Sequence, residues 1–227
     1  MRTKSMVLLL IGSTCAWALA ACGGGSGSGG RGGGGTGGSG GHAGSGGTGG
    51  AGGGSATISG SVDGAPFAAQ DSIYVQASAS GLSFVGMSTD ILVSDYPASC
   101  AKEAADQGVA NGRTLFIGLG ITDASGSASP ATESGTYLVV SPASAPPASS
   151  HVAEISYQRN GANCQREQLI TGTSGTVQVG QADTSAHGGV QGTLDVTFEN
   201  GDHLTGNVSA VYCASFNPNR TPLGTCQ

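Results

Sequence analysis

From Ser55 onward, apolar and polar residues alternate with a period of two, which is the pattern of strands with one buried face. The clearest run is Thr114 to Ile121, where Leu115, Ile117, Leu119 and Ile121 share one face, and Phe116, Gly118 and Gly120 the other. Ala56 to Val62 predicts a first strand that ends at the turn dipeptide Asp63-Gly64. Ile73, Val75 and Ala77, then Leu82, Phe84 and Gly86, predict a hairpin through Ser80-Gly81, and Ile91 to Val93 adds a short apolar run. Further strands are predicted at Tyr137 to Val140, around Ala153, Ile155 and Tyr157, from Cys164 to Ile170, at Thr176 to Val179 and from Gly189 to Glu199. Leu194, Val196 and Phe198 alternate inward before Asn200-Gly201, and Leu204, Val208, Ala210 and Tyr212 return from it, the sharpest hairpin signal in the chain.

The stretches between these strands are polar or rich in turn residues. Asp123 to Glu133 reads as a polar loop, Ser141 to Ser150, with three prolines, as a long connector, and Gly172-Thr173-Ser174-Gly175 as a turn. Only Pro97 to Gln107 has helical spacing, with Cys100, Ala104 and Gln107 on one face and Gly108 placed to end it. The expected fold is therefore all-β: an antiparallel β-sandwich, with a barrel as the second choice, and one short helix near 98–107.

The first 54 residues follow no such pattern. Arg2 and Lys4 precede an apolar core, Met6 to Ile11 plus Ala16 to Leu19, and the small residues Ala20 and Ala21 follow it. This is the build of a cleaved signal segment, too short for the roughly 20 apolar residues of a spanning helix. Cys22 comes next, and glycine then fills 22 of the 32 positions from 23 to 54. Nothing in that stretch offsets the entropy of ordering it, so it reads as a flexible tether spanning roughly 30 Å on average. Its many glycine motif matches lack the flanking strand and helix that phosphate-binding or nucleophile-elbow chemistry needs.

Leu19-Ala20-Ala21-Cys22 resembles the lipobox of bacterial lipoproteins. That resemblance covers the first 22 residues and implies diacylglyceryl attachment to the Cys22 thiol, cleavage before it and acylation of the new amine. It also implies a protein held to a membrane through lipid on Cys22. Because Gly23 follows Cys22 where aspartate is associated with inner-membrane retention, the resemblance points to the outer membrane. The division expected is a signal at 1–21, lipidated cysteine and tether at 22–54, and one β domain at 55–227.

Charge and cysteine content narrow the picture. The chain carries a net charge of −6, which becomes −8 once Arg2 and Lys4 leave, so nucleic acid is not an expected partner. With Cys15 lost in the signal and Cys22 lipidated, Cys100, Cys164, Cys213 and Cys226 remain, an even number that in an exported domain indicates two disulfides. Three connectivities are possible; sequence proximity favours Cys213 with Cys226 and leaves Cys100 with Cys164. No Cys-x-x-Cys pair supports zinc, so no metal or cofactor is expected.

Candidate chemistry is sparse. His42 lies in the tether, and His151, His187 and His203 border turn residues without any short ligand pair. Glu199, Asn200, Asp202 and His203 crowd one hairpin tip but depart from a calcium-loop spacing. Glu154, Glu167 and Asp195 lie on or near strands and are the carboxylates a glycoside hydrolase would draw on. Trp17, the sole tryptophan, leaves with the signal, so sugar stacking would fall to Tyr74, Tyr96, Tyr137, Tyr157 and Tyr212, and sugar binding is disfavoured. The expectation is a non-catalytic binding or structural domain with a protein or envelope partner. A hydrolase or metal enzyme using the body histidines and carboxylates is the alternative.

Overall fold

The computed structural model describes residues 53–78, 85–185, 188–218 and Cys226. Cys22, the tether up to residue 52, His42, His187, Leu82 and Phe84 lie outside the described residues. Eleven strands occur among the described residues: β1 (Ser55–Val62), β2 (Ala65–Pro66), β3 (Asp71–Ser78), β4 (Val85–Ser94), β5 (Arg113–Thr122), β6 (Ser127–Pro130), β7 (Gly135–Val139), β8 (His151–Asn160), β9 (Arg166–Ala182), β10 (Gly189–Phe198) and β11 (His203–Tyr212). The one helix among them, α1, runs Ser99–Ala104. The all-β expectation with a short helix near 98–107 is thus met. No helix among the described residues is long and apolar enough to cross a membrane.

All the strands belong to one mixed sheet, antiparallel except where β11 meets β3, β4 meets β6 and β7 meets β8. Its ladder returns to its start: β10 pairs β9, then β8, β5, β4, β3 and β11 follow, and β11 pairs β10 again. The inward faces therefore share one core. Leu115, Ile117 and Leu119 of β5 meet Ala153, Ile155 and Tyr157 of β8, Leu194, Val196 and Phe198 of β10, and Leu204 and Val208 of β11 there.

Ile91-Leu92-Val93 is a continuous apolar run because β4 is covered on both faces. Ile91 and Val93 enter the main core, while Leu92 joins Ile73, Val75, Cys213 and Phe216 in a second cluster on the outer side of the sheet. Cys100 of α1 packs against that cluster and is bonded to Cys213. The other bridge joins Cys164 to Cys226. The pairing suggested by sequence proximity is corrected on both counts. Neighbourhood along the chain was a poor guide because β11 delivers Cys213 to the edge of β3, directly beneath α1, whereas Cys164 sits in the β8–β9 turn, where Cys226 reaches Gly108.

Two further expectations change. Asp123 to Glu133 contains β6, whose Ser129 pairs with Ile121 of β5. Gly172-Thr173-Ser174-Gly175 is the interior of the 17-residue strand β9 and makes no turn. Glycine here marks a bulge and a close approach instead of a chain reversal: the register slips between Thr197 and Phe198, and a Cβ on Gly175 would stand 2.0 Å from the Asp195 carbonyl oxygen. Gly54, at the expected end of the tether, already donates its amide to Ser72 O.

One end of the closed ladder is fastened by charges. Arg159 Nε lies 3.1 Å from Asp63 Oδ2 in the β1–β2 turn, Arg113 Nε lies 3.5 Å from Asp95 Oδ2, and Arg113 Nη1 donates to Pro66 O. Phe67 then packs edge-on against Tyr157, so the β1–β2 segment closes that end over the core.

Candidate functional site

The two described histidines open β8 and β11. Three successive antiparallel pairings separate these strands, so they run in opposite directions and their first residues lie at opposite ends of the sheet. His151 stacks on Tyr137 with ring centroids 4.7 Å apart and stands 3.9 Å from Glu133, whose backbone oxygen accepts the Tyr137 hydroxyl. His203 Nε2 is 2.9 Å from Asp195 Oδ1 on the exposed face of β10 and β11. Each ring thus has a carboxylate, yet the hydrogen bonds of the described residues bring no serine or threonine hydroxyl to either, as a nucleophilic relay requires. Among the described residues no three His, Cys, Asp or Glu side chains are placed to hold a metal ion.

At the β10–β11 tip the oxygens suggested for calcium are occupied within the protein. Glu199 Oε1 accepts the Thr171 amide, Asp202 Oδ2 accepts the Asp63 amide and Asn200 Nδ2, and Asn200 Oδ1 accepts the Asp202 amide. These contacts shape a turn and tie it to β1. Glu154, Glu167 and Asp195 lie on three different strands, and none is the register partner of another.

An unexpected carboxyl group is Asp90, only 1% exposed in β4. It accepts a hydrogen bond from Ser88 Oγ at 2.8 Å, and burial pushes its carboxyl up to about 7 against the smaller opposing effect of that bond. Gly118 is the register partner of both Asp90 and Glu154, so two carboxyl-bearing residues flank a strand position that has no side chain. Both are at most 2% exposed, which keeps a substrate away from them. In sequence, Asp90 ends the polar run Ser88-Thr89-Asp90 that precedes Ile91-Leu92-Val93, and no spacing singles it out.

Among the described residues, the core between β4, β5, β9, β10 and β11 is closely packed. The space between Ile91, Ile117, Leu119, Val177, Leu194 and Val208 amounts to about 10 Å³, roughly the room of one water molecule.

The outer face of β1, β11, β10 and β9 is different. Register places Thr136, Gln178, Thr193, Asn207 and Thr57 in one row across five strands, and Thr176, Asp195, Thr205 and Ser59 in the next. The β9–β10 register shifts between Gln191 and Gly192, so Gly180 is an extra residue in β9. As a result Gln178, Gly180 and Gln181 are all exposed, and the middle one has no side chain. A shallow groove of about 380 Å³ results, walled by Ser55, Thr57, Gln178, Gln191, Thr193 and Asn207. That volume falls in the range of small-ligand clefts, about 300–1,000 Å³. Every polar side chain lining the groove is uncharged, and no aromatic ring lines it. Sequence reasoning missed this site because its residues come from four separated strands and resemble any solvated strand face. The chain matches no known family, no curated protein and no solved structure.

Proposed function

We propose that this protein is a membrane-anchored extracytoplasmic lipoprotein that presents a non-catalytic β domain for binding, carried on a flexible tether. The groove over the Gly180 bulge is the observation that carries the reading: four strands set hydrogen-bonding side chains around an open cleft, whereas His151 and His203 stand at opposite ends of the sheet. Two disulfides within one domain support an oxidising, exported location. The Leu-Ala-Ala-Cys sequence supports lipid attachment at Cys22, and Gly23 supports the outer membrane as its address.

Two measurements test this. Cys22→Ser should move the protein from the membrane fraction to the soluble one; retention in the membrane rejects the lipid anchor. A photo-crosslinker at Thr193, in the groove, should trap a cell-envelope component in intact cells that the same group at Glu167 does not. Equal adducts at the two positions, or none, reject the binding reading.

A further inference from the structure

We propose that the Gly180 groove binds a neutral oligosaccharide through hydrogen bonds, without ring stacking. This rests on the binding reading above and adds the class of ligand.

Charge is the first argument. The groove is lined by no cation to attract an anion and no carboxylate to hold a cation, and the chain as a whole is negative, which repels acidic polymers. Hydrogen-bonding capacity is the second. Gln181, Gln191 and Asn207 each offer both donors and acceptors, as do the hydroxyls of Ser55, Thr57, Thr193 and Ser209, while Gln178, whose Oε1 accepts the Thr136 hydroxyl, offers its amide N–H groups. A sugar hydroxyl is likewise donor and acceptor, so these walls can satisfy a polyol in many orientations.

The absence of aromatic rings from the lining sets the mode of binding. Tyr74, Tyr137 and Tyr157 are at most 1% exposed, so their rings are spent in the core. Binding through hydrogen bonds alone is weak, with a dissociation constant on the order of 1 mM. Many anchored copies facing one polysaccharide raise the effective affinity without new contacts.

Gly180 supplies a clean block. A Cβ there meets only Gln191 O, at 3.9 Å, so Gly180→Leu fills the groove with little disturbance of the strand. The mature full-length chain in detergent micelles is titrated with maltotriose, cellotriose and triacetylchitotriose, and with trigalacturonate as an acidic counterpart. The side-chain amide NMR signals of Gln178, Gln191 and Asn207 are followed. At least one neutral trisaccharide should shift these signals saturably and trigalacturonate should not. Gly180→Leu should abolish the shifts of the remaining groove signals, and Gln191→Ala should weaken binding by roughly 2- to 10-fold. The proposal is overturned if no neutral trisaccharide acts at about 20 mM, a concentration well above the expected constant. It is equally overturned if a folded Gly180→Leu protein or Gln191→Ala binds with undiminished affinity. If the trisaccharides fail while the Thr193 crosslink persists, only the ligand class falls; if both fail, the binding reading falls with it.

Discussion

Cys100 in α1 is bonded to Cys213, the residue after β11, across a sequence separation of 113 residues. Cys213 is 1% exposed among Ile73, Val75, Leu92 and Phe216, so the bond pins the helix onto the apolar outer side of β3 and β4. Non-reducing peptide mapping should recover the pairs Cys100–Cys213 and Cys164–Cys226, and thiol titration of the denatured, unreduced mature protein should find none free. Replacing Cys100 and Cys213 together by alanine should lower stability by about 4 kcal/mol, because a long loop is released in the unfolded chain. A Cys213–Cys226 peptide would refute the arrangement.

Asp90 makes stability depend on pH in a particular direction. Its folded carboxyl titrates at about 7 against an ordinary 3.8, so between those values the folded state holds a proton that the unfolded chain has released. Its contribution is complete below pH 4 and is lost as the pH rises through 7, a change on the order of 4 kcal/mol. Asp90→Asn keeps an acceptor for Ser88 Oγ and has no proton to lose. Urea midpoints measured from pH 4 to 8 should therefore fall less steeply for the variant than for the natural protein. Parallel curves would show that Asp90 is solvated.

Asp202 joins two turns that are far apart in sequence, through the Asp63 amide and Asn200 Nδ2. Asp202→Ala removes both bonds and should cost roughly 1–2 kcal/mol. Hydrogen exchange at the Asp63 amide should quicken at the same time. An unchanged exchange rate would mean that the β1–β2 turn is held by Arg159 alone.

The histidines should respond unequally to replacement. His203 pairs with Asp195 on an exposed face, so His203→Ala should change stability by less than about 1 kcal/mol. His151 lies against the buried ring of Tyr137, and His151→Ala should cost more, through lost stacking contact. A larger effect at His203 than at His151 in thermal melts would reverse this ranking.

Much of this was legible in the chain itself. The period-two runs at Thr114 to Ile121 and around Asn200-Gly201 specified strands and a hairpin, because side-chain alternation across a pleat is a local property. The helix near Cys100 was legible for a similar reason, as were four body cysteines available for two bridges. Tertiary structure alone decided which cysteines meet, since a disulfide depends on where β11 and the β8–β9 turn arrive in space and not on distance along the chain. It also decided that Gly172 to Gly175 continues a strand, because a glycine pair serves a close backbone approach as readily as a turn. The groove belongs to the same class. Gln178, Gln191, Asn207 and Thr57 become neighbours only through the register of four strands and the bulge at Gly180, and those are set by core packing on the opposite face of the sheet.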